Sequence, residues 1–213
     1  MLKSLLKSMR PKQWTKNLII FAAIIFAQEL GNIAILLKVM GGFVIFSFLS
    51  GCGYIFNDIA DIEKDKVHPR KQNRPIAAGK LNPLFAMSSA ILIIILSLSG
   101  AFVLRMEFGI VSLAYLLLTL GYSFLFKHIV IIDVLTLSFG FVLRAVAGAV
   151  VANMEISPWL VICTMLLALF LGLGKRRHEL VLLESHATSH RAILREYTPA
   201  FIDEMVSAVT GST

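Results

Sequence analysis

The sequence predicts an all-α, polytopic transmembrane helix bundle, and three observations carry that prediction. Apolar residues fill 57% of the 213 positions and charged residues 15%, against roughly 25% charge in a soluble domain, so a water-soluble globule is excluded. The apolar residues gather into runs long enough to cross about 30 Å of hydrocarbon, which takes about 20 helical residues. The cations behind the formal net charge of +7 lie between those runs, where they report topology and contact with anionic lipid. Nucleic acid is not an expected partner.

Residues 1–16 form a basic lead carrying Lys3, Lys7, Arg10, Lys12 and Lys16. No small-residue cleavage site follows, so this lead reads as the approach to a first span rather than a signal peptide. That span is expected over 17–37, with Gln28, Glu29 and Gly31 interrupting it, which suggests a short helix and a polar turn. Further spans are expected over 33–56, 81–104, 107–126, 129–152 and 156–174. These make about six complete spans, and 200–213 begins a partial seventh. Ser47 with Gly51, Ala145 with Ala149 and Gly148 with Ala152 place small residues four apart, which lets helix backbones approach closely in lipid. No repeat or linker divides the chain, so residues 1–213 read as a single integral-membrane domain. Cys52 and Cys163 both fall in apolar segments and give no disulfide framework or metal spacing.

With the N-terminus in the cytoplasm, the loops 57–80, 127–128 and 175–199 share its side. Together with the lead they hold 17 of the 20 lysines and arginines, while Lys38 and Arg105 lie opposite and Arg144 sits within a span. The positive-inside rule then predicts a multi-pass protein of the plasma (inner) membrane with its N-terminus and active site cytoplasmic.

The most informative stretch follows the second span: Asn57-Asp58-Ile59-Ala60-Asp61-Ile62-Glu63-Lys64-Asp65. On a continuous helix Asp58, Asp61 and Asp65 stand at i, i+3 and i+7, within about 60° of one another along about 10 Å. Carboxylates so close repel unless a cation joins them, and hard oxygen ligands of this kind suit Mg²⁺ together with substrate phosphates. The alternative is a solvated acidic helix end with Lys64 and Lys66 as local partners. Downstream, His68-Pro69-Arg70-Lys71 and Arg74-Pro75-Ile76-Ala77-Ala78-Gly79-Lys80 set cations beside these anions. Lys71 and Arg74 are suited to the phosphate oxygens that a metal leaves free; topology alone is the alternative for each cation taken singly.

These residues resemble the UbiA prenyltransferase family through N-D-x-x-D-x-x-x-D at Asn57, Asp58, Asp61 and Asp65 and R-P-I-x-x-G from Arg74 to Gly79. The resemblance is closer to its phosphoribosyl-transferring branch, the decaprenyl-phosphate phosphoribosyltransferases. Four stretches carry it: Arg10-Pro11-Lys12-Gln13-Trp14-Thr15-Lys16-Asn17, the acidic motif continued through His68-Pro69, Tyr122-Ser123 with Arg144-Ala145, and Gly174-Lys175-Arg176-Arg177 with Glu179-Leu180. It implies a bundle of nine helices around a central cavity, so that this chain would be C-terminally incomplete, ending inside the seventh.

Typical prenyltransferases of the family carry a second aspartate-rich motif after the sixth span. Here Lys175-Arg176-Arg177-His178-Glu179 stands in that place. On a helix Lys175 and Arg176 fall four and three residues before Glu179, so the acid can orient both cations toward a phosphate. A basic collar with one internal ion pair is the alternative. Within the fifth span Asp133 and Arg144 are three turns apart and cannot pair directly. Arg144 is a candidate for lipid-phosphate binding, with a structural partnership to another helix equally open. Tyr54, Tyr115 and Tyr122 are candidates to line a cavity, only Tyr122 having the resemblance behind it. Trp14 and Trp159 read as interfacial anchors.

The resulting expectation is a Mg²⁺-dependent transferase. Asp58, Asp61 and Asp65 hold metal and diphosphate, Asn57 supports them, and Lys71, Arg74, Lys175 and Arg176 hold phosphates. The donor implied by the resemblance is 5-phosphoribosyl 1-diphosphate and the acceptor a polyprenyl (decaprenyl) phosphate. Transfer of an isoprenoid chain from its diphosphate to a small acceptor is the rival chemistry. A transporter or non-catalytic membrane subunit is the rival of another class, disfavoured by three carboxylates grouped at one membrane surface.

Overall fold

The computed structural model describes residues 1–185 and 199–212, apart from the side chains of 179, 181–185 and 199, and every regular element among them is helical. In chain order these are α1 (Leu2–Ser8), a 3-10 helix (Pro11–Phe21), α2 (Ala22–Phe26), α3 (Ile33–Ala60), α4 (Ile62–Val67), α5 (Pro83–Leu104), α6 (Met106–Phe124), α7 (Ile132–Ala152), α8 (Pro158–Ser185) and α9 (Pro199–Gly211). Short 3-10 turns at Lys71–Asn73 and Phe126–His128 complete two of the connections. Among the described residues five helices are long and apolar enough to cross a membrane: α3, α5, α6, α7 and the Pro158–His178 part of α8.

Local chemistry sets the helix ends. The Asn32 side chain accepts from the Ile35 N–H at 3.4 Å to cap α3, and Asn82 accepts from the Leu84 N–H at 2.8 Å to cap α5, with Pro83 in the first turn. α5 and α6 are joined through Arg105 alone, which is extended. α7 stops at Asn153 in the left-handed conformation, φ 56°, which asparagine tolerates.

The N-terminal region departs from the expected 17–37 span. The 3-10 helix runs to Phe21, α2 ends at Phe26, and the chain turns through Gln28 (φ 57°) before α3 begins at Ile33. The polar residues Gln28, Glu29 and Asn32 end the apolar run where the sequence already shows an interruption. The 3-10 helix has three residues per turn, and its burial follows that period. Asn17 and Ile20 are buried and Trp14 half-buried, whereas Lys12, Thr15 and Leu18 are exposed. Trp14 packs edge-on to Phe48 and donates to the Met9 carbonyl at 3.2 Å, so it is held against α3.

α7 is the axis of the bundle: 56% of its spanning window is buried, against 17–33% in the other four. Its small residues allow this. A Cβ on Gly148 would stand 2.0 Å from the Ile20 carbonyl oxygen, so only glycine lets the 3-10 helix lie against α7 here. One apolar core gathers Ile20, Ile24, Phe46, Leu49, Phe108, Tyr115 and Val151. A second, of Leu5, Met9, Cys52, Ile55, Ile76, Leu81, Ala86 and Ala90, lies beneath the polar connection between α4 and α5. The outward faces of α5 and α6 carry exposed Leu92, Ile95, Leu96, Ile110 and Leu117, an apolar exterior suited to lipid.

Candidate functional site

The polar residues of the acidic motif, the N-terminal lead and two connections, α4 to α5 and α6 to α7, meet at one end of the bundle. α3 stops at Ala60, and Asp61 (φ −104°, ψ 12°) is the joint from which α4 departs. The joint divides the carboxylates. Asp58 and Asp65 are 2% and 1% exposed, and both contact the same Nη1 of Arg74, Asp58 at 3.1 Å. Asp61 instead receives Lys127 Nζ at 2.8 Å, and that nitrogen also reaches Asn57 Oδ1 at 3.5 Å. Arg10 completes the group: its guanidinium pairs with Asp58 and lies 4.7 Å from the centroid of the Tyr54 ring. Three carboxylates thus face three cations drawn from widely separated parts of the chain.

The loop that delivers Arg74 is built by its own sequence. The Arg74 N–H donates to the Lys71 carbonyl at 2.9 Å, Ala78 N–H to Arg74 O at 2.8 Å, and Leu81 N–H to Pro75 O at 3.0 Å. Ile76 and Leu81 are buried in the second core and anchor the loop from below. Gly79 has φ +69° with open space around its Cα, so glycine is required there by backbone conformation. The R-P-I-A-A-G stretch is therefore a folded bracket that aims one guanidinium at two buried carboxylates.

The other candidates lie elsewhere. Lys71 is half-buried, and its N–H donates to His68 Nδ1 at 3.4 Å. Tyr122 is half-buried in the last turn of α6. Arg144 is buried inside the bundle, where Nε donates to Asn17 Oδ1 at 2.7 Å, Nη1 to the Gly140 carbonyl at 2.8 Å and Nη2 to the Tyr115 hydroxyl at 2.7 Å. Asn17 in turn donates toward Ser47 and Ser50, both at 3.2 Å. Arg144 is thus a brace between α7, α6 and the 3-10 helix, the interhelical partnership left open by the sequence. Arg176 is 2% exposed and donates from Nε to Asp133 Oδ2 at 2.8 Å, a buried ion pair joining α8 to α7. Lys175 is exposed; the Glu179 side chain lies outside the described residues.

Arg10, read from the sequence only within the basic lead and the family resemblance, is one participant that received no site role there; Lys127 is the other. It entered only as a loop charge, yet it is 7% exposed and bound to Asp61. Its signal was present: a lone lysine in the short polar break between two apolar spans.

Among the described residues no group of three or more His, Cys, Asp or Glu is arranged to hold a metal ion. The chemistry of the donor set nonetheless fits a hard divalent cation. Asp58 and Asp65 converge on a single positively charged nitrogen, and all the donors are carboxylate or amide oxygens.

The profile of the UbiA prenyltransferase family matches residues 17–175. This chain belongs to that family. It is an integral, multi-pass membrane protein, as its apolar helices and that membership require. It is 38% identical over 202 residues to the decaprenyl-phosphate phosphoribosyltransferase of Corynebacterium glutamicum, an alignment covering 93% of this chain and 61% of that protein. It is 34% identical over 200 residues to the decaprenyl-phosphate phosphoribosyltransferase of Mycobacterium tuberculosis, covering 92% of this chain and 66% of that one. The chain thus spans less than two thirds of the length of these relatives. Its fold is that of a UbiA homolog from Archaeoglobus fulgidus whose structure is bound to GPP and Mg²⁺: TM-score 0.81 at 19% identity, over 98% of this chain and 74% of that one.

Proposed function

We propose that the protein transfers 5-phosphoribose from 5-phosphoribosyl 1-diphosphate to a polyprenyl phosphate, with Mg²⁺, at the cytoplasmic face of the membrane. The observation that carries the reading is the neutralised cluster of Asp58, Asp61 and Asp65 with Arg10, Arg74 and Lys127, in a chain 34–38% identical to two decaprenyl-phosphate phosphoribosyltransferases. The density of cations on the lead and on the two connections that build this end supports the cytoplasmic orientation.

The acceptor phosphate oxygen attacks the anomeric carbon of the ribose, the bond from that carbon to the diphosphate oxygen breaks, and diphosphate leaves with the bonding pair. Oxidation states do not change. The acceptor is already an anion near neutral pH, so the chain needs no strong general base. Its work is to position two phosphorylated reactants and to stabilise charge on the leaving group.

Asp58, Asp61 and Asp65 would hold Mg²⁺, which supplies charge neutralisation of the diphosphate. Arg74, Arg10 and Lys127 then exchange carboxylate partners for phosphate oxygens, arginine in its bidentate fashion. Because every one of these cations already touches a carboxylate, donor and metal bind together more favourably than either alone. The cationic end of α8, with exposed Lys175, adds positive field where other family members carry a second aspartate motif.

Supplying labelled 5-phosphoribosyl 1-diphosphate or labelled isoprenoid diphosphates to membranes containing the protein tests the donor class. Label passing from the first to polyprenyl phosphate is the expected result. Label passing only from the second, into a small acceptor, would replace this reading by prenyl transfer.

A further inference from the structure

The 3-10 helix Pro11–Phe21 presents an edge that the carboxylate cluster does not use. Its three-residue period places Gln13 and Lys16 on one edge, and Arg10, the left-handed residue that precedes the helix and is bound to Asp58, stands six positions before Lys16. Runs of 3-10 helix this long are uncommon, and tertiary contacts fix this one. Asn17, next to Lys16, is held by Arg144, Ser47 and Ser50, and Ile20 rests on Gly148. The edge therefore cannot roll away from the bundle.

Lys16 is exposed, and its side chain forms no hydrogen bond or ion pair with the described residues. The charged groups that act on it are Arg144, Lys175 and Arg10, all positive, which together with partial burial lower its pKa from the ordinary lysine value. Partial burial contributes most to that lowering, although the residue as a whole is exposed. Arg144 commits three of its five N–H donors, from Nε, Nη1 and Nη2, to protein oxygens. It acts through Asn17, setting the place of the neighbouring lysine. Like charges gathered this way repel one another unless an anion joins them.

Resting on the phosphoribosyl-transfer reading, we propose that Lys16, with Gln13 beside it, binds a phosphate monoester group. Two reactants carry that chemistry: the polyprenyl phosphate head and the 5-phosphate of the ribosyl donor. The edge lies beyond the carboxylate cluster, so it holds whichever phosphate is not the leaving diphosphate.

Equilibrium binding to the full chain in detergent micelles tests the proposal without requiring turnover, so failure of the transfer reading is seen separately as absent product. The probes are decaprenyl phosphate, ribose 5-phosphate, the neutral polyprenol, and inorganic diphosphate with Mg²⁺. Lys16→Gln should weaken one phosphate monoester about tenfold, the size of one lost charge-assisted hydrogen bond. Polyprenol and Mg²⁺–diphosphate binding should stay at the parent level, and Lys16→Arg should restore most of the loss. A loss in the lipid arm places the acceptor head on Lys16, and a loss in the ribose 5-phosphate arm places the donor's remote phosphate there. Unchanged affinity in both arms, or an equal loss for Mg²⁺–diphosphate, overturns it.

Discussion

Replacing Arg74 by glutamine separates the electrostatic account of the cluster from a purely geometric one. Arg74 is the shared partner of Asp58 and Asp65, whose side chains are both 2% exposed. Asp58 keeps Arg10, but Asp65 has no other ion pair among the described residues. Removing one partner of a buried pair costs about 3–5 kcal/mol. The Arg74 side chain is itself 23% exposed, so water reaches one side and the lower end, about 3 kcal/mol, is expected. That is a large share of the roughly 5–15 kcal/mol that holds a domain folded. The assay is unfolding by SDS of the protein in mild-detergent micelles, with a chelator and again with Mg²⁺. If Asp58 and Asp65 accept a divalent cation, Mg²⁺ should recover more than half of the loss in Arg74→Gln while stabilising the parent much less. A variant within about 0.5 kcal/mol of the parent, or a Mg²⁺ effect equal in both, would refute the reasoning.

Three further outcomes are expected. Gly148→Ala places a methyl group 2.0 Å from the Ile20 carbonyl oxygen, so the 3-10 helix must move off α7 at a cost of about 1–3 kcal/mol, seen as faster proteolysis within 11–26. Arg176→Met leaves the Asp133 carboxylate, 0% exposed, without its arginine and should destabilise by about 3–5 kcal/mol; adding Asp133→Leu should restore most of it in the same SDS titration. Lys127→Met frees Asp61 and Asn57 from their shared cation, so Mg²⁺ binding without donor should tighten while the donor's Michaelis constant rises.

The helical class and the five spanning helices were legible because apolar runs between polar breaks need no tertiary information. Part of the cluster was legible too, since Asp58, Asp61, Asp65 and Arg74 lie within one short stretch, whereas Arg10 and Lys127 reach it from elsewhere in the chain. Its pairing was not. The stripe expected on one continuous helix is broken at Asp61, so one carboxylate turns to Lys127 while the other two meet Arg74. The 3-10 helix escaped because its inward residues, Trp14, Asn17 and Ile20, recur every third position, a period that also lies within an α-helical stripe. Asp133 with Arg176 and Asn17 with Arg144 join residues 43 and 127 positions apart, and nothing local in either segment names its partner. Buried ionisable groups in a membrane bundle must find one another, but a single sequence does not say in which combination.

The most direct test of the central claim is transfer of radiolabelled phosphoribose from 5-phosphoribosyl 1-diphosphate to polyprenyl phosphate in membranes holding the protein or its Asp61→Asn variant, with Mg²⁺ or with chelator. The account predicts labelled lipid from the parent with Mg²⁺, and none from the folded variant or in the presence of chelator. Labelled lipid formed equally by Asp61→Asn, or by the parent without a divalent cation, would contradict it.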